Sequence, residues 1–252
     1  MKRKLSATSA LHYFKLVFRS LLFIAALVLY IIYAGTNPDD PFGGFEDNPF
    51  ILAAISLVFL IEMILRFFPA KLESMGSQKQ FKKNFIPTSC TQKPNSSKGV
   101  LLSAVVWLIL NGIIAALFYL NIINAGILLL IALFYSVCDM ICILFFCPFQ
   151  SWFMKNKCCG SCRIYNWDYA MMFTPLVFIN NIYTLSLFIC GILLLIRWEV
   201  TAFIYPERFS ESTNSALSCA NCKEKLCHHK GHLRMFLIKN KHLLKHRKTS
   251  SD

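Results

Sequence analysis

The chain is short of charge. Asp, Glu, Lys and Arg make up 15% of its 252 residues, against about 25% in a soluble domain. Acid is scarcer still: 13 Asp and Glu stand against 26 Lys and Arg, for a formal net charge of +13. Familiar catalytic signatures are missing as well. The sequence has no Ser-His-Asp set, no Walker loop, no dinucleotide fingerprint and no H-E-x-x-H, so no reaction class follows from motif. No internal repeat is visible.

What fills the chain is apolar. Hydrophobic residues make up 56% and aromatic residues 14%, and several runs approach the roughly 20 residues that cross a bilayer. The fold class is therefore an all-α membrane protein: four transmembrane helices, a fifth broken hydrophobic segment that is re-entrant or spanning, and a small Cys-rich cytoplasmic tail. The partner these runs require is the lipid bilayer of a cell membrane. The basic excess reads as cytoplasmic loop bias rather than as a nucleic-acid face.

Four regions follow: 1–147 with four spans, a Cys-rich loop 148–168, a broken apolar segment 169–198 and a basic Cys/His-rich tail 199–252. Lys2, Arg3, Lys4, Lys15 and Arg19 precede or open an apolar run, Leu16 to Ala34. They hold the N-terminus in the cytoplasm, and the run is too long for a cleaved leader core. The loop 35–49 carries Asp39, Asp40, Glu46 and Asp47 with no Lys or Arg, which places it outside. Phe50 to Phe68 forms the second span. Glu62 and Arg66, four residues apart, share a helical face. They should face each other or the bundle, so reversing the pair should be milder than removing Glu62 alone. Pro69 to Lys98, with six lysines and one acid, reads as a cytoplasmic linker. Val100 to Leu120 and Ile127 to Phe146 form spans three and four, an antiparallel hairpin across a short uncharged turn. Asp139 lies inside the fourth span and should face protein or water.

Tyr169 to Trp198 is interrupted by Asn180-Asn181. As a single span it would place outside a tail that, from Arg197 on, has eleven Lys and Arg against five acids, against the orientation bias. A return to the cytoplasm is the preferred reading, with each arm shorter than a full span. In the tail, Leu233, Phe236, Leu237 and Leu244 share a face of a basic helix, 233–248, suited to an anionic lipid surface.

The eleven cysteines carry the chemistry. Cys147, Cys158, Cys159 and Cys162 fall in the central loop; Cys219, Cys222 and Cys227, with His232, fall in the tail. C-x-x-C pairs in basic loops point to reduced thiolates binding metal inside the cell. The central loop has no nearby histidine. Adjacent cysteines rarely both ligate one ion, so Cys159 and Cys162 form the pair and Cys158 is spare. Cys219 and Cys222 complete a four-thiolate site if the broken segment returns. Zinc is the expected metal, and an iron–sulfur cluster is the alternative on ligand type. Cys147, Cys158, Cys227 and His232 are substitute ligands. Cys138 and Cys142, four apart on the fourth helix, are read as packing residues, with a soft-metal path as the other option. Asp168 reads as a helix N-cap. Cys90 and Cys190 read as isolated thiols.

Two resemblances add to this. Cys219-x-x-Cys222, Cys227 and His232 resemble a zinc knuckle with its last two ligand types exchanged. The stretch Cys147-Pro148-Phe149-Gln150 through Cys158-Cys159-x-x-Cys162-Arg163-Ile164-Tyr165-Asn166-Trp167, continuing to Pro206-Glu207-Arg208-Phe209, resembles an uncharacterised family of prokaryotic multi-pass membrane proteins. That resemblance implies no activity. Three functions remain open: a membrane protein with a structural or regulatory zinc site at its cytoplasmic face, a membrane redox protein using iron–sulfur or dithiol chemistry, and a soft-metal transporter using Cys138, Cys142 and Asp139.

Overall fold

The computed structural model describes residues 7–34, 49–69, 75–88, 98–154, 162–179 and 181–218. Among these residues all regular structure is helical: α1 Ala7–Ala34, α2 Pro49–Leu65, α3 Met75–Gln80, α4 Lys98–Tyr119, α5 Ala125–Leu144, α6 Asp168–Phe173 and α7 Ile182–Ile204. Short π and 3-10 turns link them. Four helices, α1, α4, α5 and α7, are long and apolar enough to cross a membrane. Their outer faces present Leu21, Ile31, Leu101, Leu108 and Phe203, a surface consistent with lipid.

Two spans differ from the expected ones. α1 begins well before Leu16, because a polar stripe extends the helix into residues 7–15. α2 is the shorter apolar helix, Ile55–Leu65 in its apolar part. It stops before Phe68 because the N–H groups of Arg66, Phe67 and Phe68 bond to the carbonyls of Met63, Ile64 and Leu65. Those three-residue closures tighten the last turn, and Pro69 follows.

The hairpin also departs from expectation. α4 and α5 are joined by the short turn 120–124, and Asn124 caps α5 by accepting from Ile127 N at 3.0 Å. Yet α4 packs mainly on the π-helical turn Phe149–Met154 and on the 3-10 turn Thr174–Phe178, while α5 packs along α1. The two helices diverge.

The broken segment is resolved into parts. A 3-10 turn Arg163–Trp167, α6 and a second 3-10 turn Thr174–Phe178 form its first arm. Pro175 sits in the second turn, and a 3-10 helix rises about 2.0 Å per residue against 1.5 Å for an α-helix, so the arm reaches far for its length. Its start lies near the end of α7: Arg163 pairs with Glu199, and Trp167 Nε1 donates to Glu199 at 2.8 Å. Its far end touches the opposite end of α4, with Phe178 5.9 Å from Tyr119 and 6.2 Å from Phe118. Asn181 then caps α7, accepting from Tyr183 N at 2.9 Å. The second arm is thus longer than expected. It is a 23-residue helix that runs past Trp198 to Ile204. Gly191 lets α7 approach α6, since a Cβ there would lie 3.2 Å from Ala170 N.

One bundle end gathers the starts of α1 and α4 and the ends of α2, α5 and α7. Tyr13 packs edge-on against Phe145 at 6.4 Å. Val100 clusters with Cys162, Ile164 and Trp167. Arg197 donates to Phe67 O. At the other end Tyr30 meets Asn124. The linker 69–98 is ordered in its described part: α3 docks at the first end, with Gln80 fully buried. The core joins α2, α5, α6 and α7 through Phe59, Met63, Ala132, Tyr169, Phe173 and Leu194.

Candidate functional site: a buried charge cluster beside a thiol-lined cavity

α1 is polar inside and apolar outside near its start. Thr8, His12, Lys15 and Arg19 recur at helical spacing, so they fall on one face. Thr8, His12 and Arg19 are buried, while Phe14, Val17 and Leu21 are exposed. Lys15 and Arg19, read above as part of a basic cytoplasmic start, therefore turn inward. They enter the bundle.

There they meet acids from two helices, α2 and α5. Arg19 Nη2 lies 2.7 Å from Glu62 Oε2, and its Nη1 lies 3.1 Å from Asp139 Oδ2 and 3.2 Å from Ser136 O. Lys15 Nζ sits 3.2 Å from the other Glu62 oxygen. Tyr169 donates its hydroxyl to Glu62 at 2.8 Å. Arg66 pairs with Asp168 at 2.5 Å and lies over the Tyr169 ring at 4.5 Å. Three cations and three anions balance, as buried charges must. His12 packs at the edge, and neither ring nitrogen has a hydrogen-bond partner.

Three expectations meet this cluster. Glu62 and Arg66 do face the bundle, but Glu62 serves Lys15 and Arg19 while Arg66 serves Asp168. Reversal would then set Arg beside two cations and Glu beside an acid, which overturns the expected order of severity. Asp139 faces protein, as its cost in lipid demands. Asp168 is the first residue of α6 rather than its cap: one oxygen accepts from Tyr169 N at 3.0 Å and the other takes Arg66.

Beside the cluster lies a cavity of about 270 Å³ between α4 and α5. Cys138, Cys142, Cys147 and Cys162 all line it, with Asp139 and Asp168 in the wall. Cys138 and Cys142 thus border the cavity, each half-buried on α5. Cys162 is buried, its backbone leading into the 3-10 turn 163–167. Cys190 packs against the core on α7. Cys90, Cys158, Cys159, Cys219, Cys222, Cys227, His232 and the basic stretch 233–248 lie outside the described residues. Among the described residues, no three His, Cys, Asp or Glu side chains are grouped to hold a metal ion.

Sequence reading missed the convergence of Lys15 and Arg19 on Glu62 and Asp139. Its signal was the spacing of Thr8, His12, Lys15 and Arg19, a polar stripe on an otherwise apolar helix. Comparison with protein-family models, curated proteins and solved structures gives no match for this chain.

Proposed function

We propose that the chain is a multi-pass membrane protein holding one zinc ion through four thiolates at the cytoplasmic end of its bundle, in a structural or regulatory role. Cys159 and Cys162 come from the central loop, and Cys219 and Cys222 from the tail. The observation that carries this reading is a pair of adjacent residues on α3. Lys79 O accepts from Asn214 Nδ2 at 3.1 Å, and Gln80 Oε1 accepts from Asn166 Nδ2 at 2.9 Å. Cys162 precedes Asn166 by four residues, and Cys219 follows Asn214 by five. A chain spans at most about 3.6 Å per residue, so Cys162 starts within about 14 Å of Asn166 and Cys219 within about 18 Å of Asn214, distances that leave a shared site within reach. Burial of Cys162 and Leu217 at that end supports the same juxtaposition. The basic N-terminus and basic tail favour the cytoplasmic side for this end, and the stretch 233–248 would lie on anionic lipid there.

Elemental analysis of the purified protein tests the reading. One zinc per chain is expected, lost on Cys162→Ser and on Cys222→Ser and kept on Cys227→Ser. Loss with Cys227→Ser and His232→Ala, but not with Cys162→Ser, would assign the metal to the tail alone. Brown, oxygen-sensitive protein would replace zinc by an iron–sulfur cluster.

A further inference from the structure

The cavity between α4 and α5 has the position and the depth of one lipid chain. α4 packs mainly on the π-helical turn Phe149–Met154 and on the 3-10 turn Thr174–Phe178, so a gap separates it from α5. Val106 and Leu110 on α4 and Phe134 on α5 line this gap and are 37%, 46% and 50% exposed. Its mouth therefore opens through the outer faces of two helices long and apolar enough to cross a membrane. Along α5 the lining runs from Cys147, at the bundle end, to Phe134. Phe134 lies ten residues before Leu144, the last residue of α5, a rise of about 15 Å at roughly 1.5 Å per residue. That is half of a hydrocarbon core about 30 Å thick. The gap is one leaflet deep.

We propose that this gap holds one acyl chain of a phospholipid from the leaflet at that end, its headgroup at the level of Trp152. Trp152 is 65% exposed and packs edge-on against Phe146 at 6.0 Å. An exposed indole at the end of a span suits the boundary between chains and headgroups. The occupant is apolar because the polar groups beside it are already engaged. Asp139 holds Arg19 and Asp168 holds Arg66. Ser103, Asn111 and Ser136 donate to Gly99 O, Trp107 O and Leu133 O of their own helices at 2.8, 2.9 and 2.7 Å. An ion or a polar ring deep in the gap would lose its water and gain no partner. Water itself needs about two to four polar partners to stay in such a place. Methylene groups need none, and beside Val106, Phe134, Phe149 and Met171 they restore the dispersion contacts that empty space forfeits. The volume, about 270 Å³, falls just below the range of ligand pockets, roughly 300–1,000 Å³. It is small for a two-chain lipid and suits part of a single chain, the rest of the molecule lying outside the mouth.

This site stands apart from the proposed zinc centre. The test uses the full chain in nanodiscs of phospholipid with a photoactivatable diazirine at one chosen position of an acyl chain. Irradiation, proteolysis and mass spectrometry locate the adducts. Met171 discriminates, because it lines the gap from α6 rather than from either helix at the mouth. A mid-chain diazirine should mark Met171 and Cys138. One near the ester should mark Cys147, and one at the chain terminus Phe134. Adducts confined to outward-facing Leu101 and Leu108, or the reverse order with depth, would overturn the proposal. Val106→Trp narrows the mouth and should lower the Met171 adduct several-fold while leaving that at Leu108 unchanged; an undiminished Met171 adduct counts against the site. Should that variant fail to fold, the unaltered chain decides by thiol chemistry. A charged, water-soluble methanethiosulfonate should leave Cys138 unmodified, whereas ready reaction would show a hydrated gap and overturn the proposal. Met171 labelling that persists in Cys222→Ser after loss of zinc supports the site whatever becomes of the metal reading.

Discussion

Arg19 shows what a single side chain does in a medium that does not solvate charge. It is 1% exposed and is divided between Glu62, Asp139 and a backbone carbonyl. Removing one partner of such a set strands the others, at a cost of about 3–5 kcal/mol. Arg19→Met should therefore lower stability by that order in a denaturant titration of detergent-solubilised protein. The triple change Arg19→Met, Glu62→Gln, Asp139→Asn should cost less than the sum of its parts, since residues in one network couple. The doubly reversed Glu62→Arg, Arg66→Glu should be worse than Glu62→Gln. Milder behaviour of the reversed protein would mean that Glu62 and Arg66 pair chiefly with each other. The role of Asp168 could not be read locally. A first-turn Asp satisfies capping logic equally well, and only the arrival of Arg66, roughly a hundred residues earlier in the chain, decides its partner.

At the scale of elements, the segment 169–198 departs in length from its expected form. Asn180-Asn181 marked the interruption, and Asn181 indeed caps α7. The second arm outgrew its expected end because Arg197 and Glu199 find partners at Phe67 and Arg163; polar residues that looked like a helix terminus are satisfied inside the bundle end. Asn181→Ala should cost about 1 kcal/mol, a usual value for a lost N-cap, in the same titration. Gly191→Leu should cost more than Gly191→Ala, because α6 backbone lies against that position and overpacking costs about 1–3 kcal/mol. Equal tolerance of both would place α7 farther from α6 than the structure has it. The divergence of α4 from α5 had no sequence signal. A short turn ordinarily implies adjacent antiparallel helices, and what separates them comes from later in the chain.

For the whole molecule, the chain runs back and forth between two bundle ends, so that Asn166 and Asn214 both reach α3 at the same end. If that end is cytoplasmic, a membrane-impermeant thiol reagent applied to intact cells should label neither Cys159 nor Cys222, and both should react after permeabilisation. Ready labelling of Cys222 alone from outside would mean that α6 to α7 crosses once. The apolar runs made the membrane class legible. The meeting of Arg19 with acids 43 and 120 residues away was not, because pairwise attraction leaves no trace in the spacing of either partner alone.

The inward-facing polar stripe of α1 also bears on how the protein is made. α1 is synthesised before α2 and α5, so Lys15 and Arg19 emerge with neither Glu62 nor Asp139 yet in reach. On insertion scales a cation at mid-helix costs about 2.5–3.5 kcal/mol, so α1 alone is a reluctant entrant that awaits its successors. Glu62 must be synthesised before the burden is halved, and Asp139 before it is lifted. In a glycosylation-reporter assay, a truncation ending at residue 48 should insert less completely than one ending at residue 97, and Glu62→Gln should erase the difference. Biogenesis of this chain is then a cooperative act of several helices rather than a sequence of independent insertions.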